Sequence, residues 1–221
     1  MGFNNAAKAL MLDALDETAT GGITFIGVLQ VGDPGTGTNF TGTEATGGSP
    51  AYARKSVVWG ATSSGQKSNT GALTFDVAAG TYSHFILANA STGNTNNYLG
   101  AVPFGGATAL KGVFSVDTNM ANDQFNAAGH GLANGDRVQL YGGWSGALPT
   151  GTGLSAGALL YVVSAATDTF KLSLTSGGSA IDLTAAGSGE GYWQKVVPEV
   201  FAAQGQITAA IGALVLDATA F

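Results

Sequence analysis

The chain has 221 residues, 35 of them glycine, and charged residues make up only 10 %, well short of the ~25 % usual in soluble domains. An apolar fraction of 45 % and a mean hydropathy of +0.22 exclude a polar disordered chain, and 5 Pro without a three-residue glycine period exclude a collagen-like one. Fourteen acids against eight bases give a net charge of −6 with no basic run, which argues against a nucleic-acid partner, while zero Cys removes disulfides, zinc ribbons and thiol nucleophiles. No apolar run is long enough to span a membrane and no leader pattern opens the chain, so neither membrane nor secretion is expected.

Apolar residues Ala7, Leu10, Met11, Ala14 and Leu15 recur at helical spacing and predict one amphipathic helix over 4–17, packed on a sheet. The period then becomes two. A strand is expected over 23–31, ended by Asp33-Pro34-Gly35, and residues 32–50 read as a long loop. Strands follow over 55–59, 72–77, 82–89 and 98–104, separated by Gly, Ser and Asn turns, as in an antiparallel sandwich. Near residue 113 the texture changes to shorter strands over 113–116, 136–141, 159–163, 169–174 and 180–184, divided by glycine-rich loops. The apolar stretch 206–216 reads as one bent or two short buried strands that pair back into the first part. The expectation is therefore an all-β chain. Residues 1–112 plus 196–221 form an Ig-like or jelly-roll-like antiparallel sandwich with an N-terminal helix, and 113–195 form an inserted small β-barrel-like domain.

Several patterns resemble catalytic motifs without their context. Gly153-Leu154-Ser155-Ala156-Gly157 matches the nucleophile elbow, but no strand precedes it, no helix follows, and both His residues lie upstream. The stretch Gly60 to Ser68 carries Gln66 where a phosphate loop needs Lys directly after its second Gly, so it reads as a hairpin. Asp117, Asn119 and Asp123 begin like a calcium loop that then loses its ligands, and read mainly as an Asx-rich turn. His84 and His130 fall in different modules, and Asn39 and Asn89 head glycosylation sequons that matter only in secretion. No enzyme, cofactor or metal is expected. The aromatics Tyr141, Trp144, Tyr192 and Trp193 sit beside glycine-rich loops, either plugging the barrel-like module or making an outward contact, for example with a host-surface glycan.

Two sets of segments carry a resemblance. The first runs from the opening helix through 23–31 with Asp33-Pro34, then Gly47-Gly48-Ser49-Pro50-Ala51-Tyr52-Ala53-Arg54, Lys67-Ser68-Asn69-Thr70 and Thr81-Tyr82-Ser83-His84-Phe85, and closes on the apolar stretch 202–216. It resembles the small virion proteins of tailed bacteriophages labelled tail-fibre or minor tail proteins. The second runs from His130-Gly131-Leu132 through Asn134-Gly135-Asp136-Arg137-Val138 to Leu160-Tyr161-Val162-Val163 and Thr169-Phe170-Lys171. It is similar to a β-rich module of phage tail proteins, here interrupting the first. The resemblance implies a non-enzymatic structural part of a virion, a minor tail protein or a capsid decoration or minor capsid protein. It would dock through the sandwich on other virion subunits, as a homo-oligomer, with the insert displayed outward. The charge-poor composition agrees, because a surface of Gly, Ser, Thr and Ala suits cover by neighbouring subunits.

Overall fold

The computed structural model describes residues 5–15, 21–32, 34–35, 37–105, 110–142 and 146–217. Two compact units emerge, one of Met1–Val31, Gly37–Gly106 and Pro198–Phe221, the other of Gly32–Thr36 and Ala107–Val197. Apart from one short helix and a single 3-10 turn, the described regular structure is antiparallel β.

The first unit is an antiparallel sandwich with an N-terminal helix, α1 (Asn5–Ala14). Its strands are β1 (Phe25–Gln30), β2 (Lys55–Ser56), β3 (Gln66–Ser68), β4 (Leu73–Val77), β5 (Gly80–Ala88) and β6 (Tyr98–Pro103), joined late in the chain by β15 (Glu199–Phe201), β16 (Gly205–Ala209) and β17 (Val215–Asp217). One sheet runs β15-β5-β1-β2 with β6 also on β5; β16 pairs with β4 and β17 with β3. Ile26 and Val28 of β1 share a core with Phe75 and Val77 of β4 and Ile207 of β16. Leu29 of β1 packs in a separate cluster with Ile86 and Tyr98. Burial on both faces explains why β1 is a continuous apolar run rather than an alternating one. A register shift at Leu29 and Gln30 leaves Ser83 as an extra residue on β5, which lets Tyr82 and Phe85 both join the inter-sheet core. The two expected C-terminal strands are present and pair with β4 and β3, although Ile211 and Val215 between and within them are exposed.

The helix differs from its expected packing. Among the described side chains of the helix Leu12 is the buried one, while Leu10, Met11 and Leu15 of the expected core stripe are 73 %, 40 % and 46 % exposed. An ion pair lies on the same side as Leu12. Asp13 accepts hydrogen bonds from Lys67 Nζ at 2.8 Å and Thr62 Oγ1 at 3.0 Å, so residues 12 and 13 together form the side of the helix that meets β3.

The second unit is a closed barrel in the order β11-β12-β8-β7-β14-β9, inserted in the chain between β6 and β15. Its strands are β7 (Lys111–Val116), β8 (Phe125–Asn126), β9 (Arg137–Gly142), β11 (Leu160–Val163), β12 (Thr169–Ser173) and β14 (Gly191–Val196). A separate ladder, β10 (Thr150–Gly151) on β13 (Leu183–Ala185), extends into the Ala147–Ser188 bridge. Val138, Leu140, Val162, Leu172 and Trp193 fill the interior, with Phe125 and Phe170 stacked at 5.4 Å between ring centres. Closure removes the open edges that a small sheet would otherwise expose.

Candidate functional site

Alternation along β14 decides what the four singled-out aromatics do. Gly191, Trp193 and Val196 are buried, whereas Tyr192 is exposed. Of its two expected roles Trp193 takes the plugging one and not the outward contact: at 3 % exposure it lies in the barrel core, its ring edge-on to His130 and Phe170. Gly112 across the ladder makes room for it, since a Cβ there would approach the indole to 3.1 Å. Trp144 lies outside the described residues. Tyr141 and Tyr192 are brought together. They are directly opposed on β9 and β14, and Val113 of β7 opposes Tyr192 on its other side.

The outer wall of the barrel therefore carries a row of Val113, Tyr192 and Tyr141, with Val113 54 % and Tyr192 42 % exposed. Both phenols are anchored. Tyr141 donates to Oε1 of the buried Gln139 at 2.8 Å, and Tyr192 donates to Glu190 Oε2 at 3.1 Å. That bond to Glu190, helped by the carboxylate's charge, holds the Tyr192 phenol above the usual tyrosine range. Gln139 is itself fixed by donating to the Gly157 carbonyl.

A recess of about 200 Å³ begins where this row ends. Phe114, Ser115 and Val116 form one wall, and Gly187, Ser188 and Gly191 are among the residues of the other. It arises because β14 pairs with β7 only as far as Gly191 opposite Phe114, so the next residues of β7 face the loop before β14. Gly191 is obligatory there, because a Cβ would fall 2.2 Å from the Phe114 ring.

The remaining motifs are absorbed by structure. His130 Nδ1 accepts from Leu132 N at 2.9 Å and Nε2 lies 3.1 Å from the Thr169 carbonyl, so the ring proton sits on Nε2 and the imidazole serves as a turn brace. His84 is fully buried on β5, with Ser83 Oγ at 2.7 Å from Nδ1. Ser155 is exposed in a turn with no following helix. Asp117 accepts from Asn119 N and Asn122 Nδ2, while Asp123 accepts from Leu183 N at 2.8 Å, so these carboxylates brace backbone instead of converging on an ion. The Asn122 bond leads in lowering the Asp117 carboxyl below its ordinary range. The hairpin read at residues 60–68 turns at Ser64 and Gly65, both with positive φ, and Ser63 pairs with Gln66. No group of three metal-ligating side chains occurs among the described residues.

One constellation was not singled out from the sequence. Arg54, with its side chain 1 % exposed, grips Glu44 through Nε at 2.7 Å and Nη2 at 2.9 Å, and donates to the carbonyls of Ala90 and Gly93. Tyr52 donates to Glu44 Oε1 at 2.8 Å and accepts from Val28 N at 2.9 Å. A Cβ on Gly27 would sit 2.7 Å from that phenol, so glycine permits the approach. Burial, then the Glu44 charge, pushes the Tyr52 phenol far above the usual tyrosine range. The group staples loop 37–50 to β1 and to the 90–93 turn. The signal was Tyr52 and Arg54 at alternate positions just before Lys55, after a stretch that is neutral from Ala45 to Ala53.

No protein-family model matches the chain, and neither does any curated protein or solved structure.

Proposed function

We propose that the chain is a non-enzymatic structural subunit of a tailed-phage particle, a minor tail protein or a capsid decoration or minor capsid protein, docked on other virion subunits through its sandwich. The observation that carries this reading is the sandwich surface. Leu10, Val58, Val200 and Ile211 are each at least 67 % exposed there. Meanwhile Arg54 and Lys67, two of only eight cations, are buried in ion pairs instead of solvating that surface. Neutral small residues and outward aliphatics fit contact with neighbouring subunits better than with bulk water. The resemblance of the Tyr52–Arg54 and Thr81–Phe85 segments to phage virion proteins supplies the identity of the assembly.

The test is an image of particles produced by the genome that encodes the chain, carrying a gold-labelled affinity tag on this subunit. Label at repeated positions on head or tail is the expected result, and it also distinguishes the two. Particles assembled without any label overturn the reading.

A further inference from the structure

We propose that the outer wall of the barrel, from Val113, Tyr192 and Tyr141 into the recess beside Ser115 and Ser188, binds the ring of a neutral saccharide. Alternation along β7 puts Val113 and Ser115 on the outer face and Phe114 inward, so the outer row reaches the recess through Ser115, which lines it. A pyranose presents an apolar C–H face and a rim of hydroxyls, and the wall offers the complement of both. The C–H face stacks on tyrosine rings already fixed through Glu190 and Gln139, so little side-chain entropy is lost on binding. The rim meets neutral donors and acceptors, the hydroxyls of the exposed Ser115 and Ser188.

Size and charge narrow the occupant. At about 200 Å³ the recess is smaller than the ~300–1,000 Å³ of drug-sized ligand sites, which limits it to one small ring. Glu190 beside Tyr192, on a chain of net charge −6, disfavours an anionic sugar. Strand addition by a peptide is the poorer fit, because beyond Phe114 only Ser115 and Val116 of β7 remain before the strand ends.

Saturation-transfer NMR on the full chain, with the methyl glycosides of glucose, galactose and N-acetylglucosamine, tests this directly. Transfer to the ring C–H protons of at least one glycoside is expected, with the Val113 methyl resonances shifting and those of Val200 unmoved. Tyr192→Ala should weaken binding at least tenfold, Tyr192→Phe less than threefold, and Ser188→Trp, which fills the recess with both tyrosines intact, should abolish it. No transfer to any of the three glycosides overturns the proposal, as does binding that leaves Val113 unshifted. Binding untouched by both Tyr192→Ala and Ser188→Trp overturns it too. None of these results depends on where the chain sits on a particle.

Discussion

The sandwich and the barrel fasten their irregular segments in different ways. In the sandwich a buried guanidinium holds loop 37–50, with Glu44 and two carbonyls around Arg54. In the barrel the same task is spread over several groups: His130 to Leu132 N, Asn134 to Ala165 N, Asp168 to Gly129 N, and Asp136, partly buried and paired with Lys195 at 2.8 Å, to Ala133 N. A buried pair concentrates its cost in one place, because removing one partner strands the other charge away from water. A distributed set of backbone bonds loses roughly 1 kcal/mol at a time. The barrel accordingly depends mainly on its packed interior, and the sandwich on its packing together with the buried Arg54–Glu44 staple and the Lys67–Asp13 pair.

The sharpest way to break this comparison is inside the barrel. Trp193→Ala should cost about 3–5 kcal/mol in urea unfolding followed by circular dichroism, since it empties the site between Phe170 and His130. Its neighbour Tyr192→Ala, on the outer face, should stay within about 1 kcal/mol. Equal effects at the two positions would mean the inward and outward faces of β14 are misassigned. In the sandwich, Glu44→Gln should cost roughly 2–4 kcal/mol, because Arg54 keeps its burial and loses its counter-charge. Asp168→Asn, the barrel's counterpart, should cost less than about 1 kcal/mol. A Glu44→Gln variant as stable as the wild type would show that the staple contributes nothing.

That contrast also explains what could be read from the sequence. Alternating apolar runs bounded by Gly and Asn gave the strands at 73–77, 98–103, 137–142, 160–163 and 169–173 to within a residue or two, because local turn chemistry and side-chain period are local facts. β8, with two residues, and β14, between glycine-rich flanks, carry too little period to be seen; their pairing partners define them. Missing β14 is what placed Trp193 on a loop. Read as a strand, Gly191-Tyr192-Trp193 puts only the tyrosine outside. The row of Val113, Tyr192 and Tyr141 was invisible for the same reason, since it joins three strands through register. The helix stripe failed because periodicity identifies an apolar face but not whether a sheet lies beneath it. Leu12 and the Asp13–Lys67 pair hold the other face instead.

Acid should loosen that helix selectively. The Asp13 carboxyl is held below its ordinary range, first by the Lys67 hydrogen bond and then by Thr62. A carboxylate whose folded value is depressed stabilises the fold above its unfolded value, near 4, and loses that contribution as pH falls through the lower folded one. The helix signal at 222 nm should therefore be flat from neutral pH to about 5 and decline below 4. Asp13→Asn should already show the weakened helix at neutral pH, without that added acid step. An acid profile identical in the two proteins would assign the attachment to Leu12 alone.

The smallest effect separates folding from docking. Leu10→Ser replaces a side chain that is 73 % exposed, so the isolated chain should change by no more than about 0.5 kcal/mol in urea unfolding. A larger loss would mean that Leu10 is covered within the folded chain and that α1 packs on the face expected from its periodicity. If stability is unchanged, the exposed leucine contributes nothing to the fold. Reduced incorporation of the same variant into particles would then place the helix at a subunit contact, because only an assembly partner remains to bury that side chain.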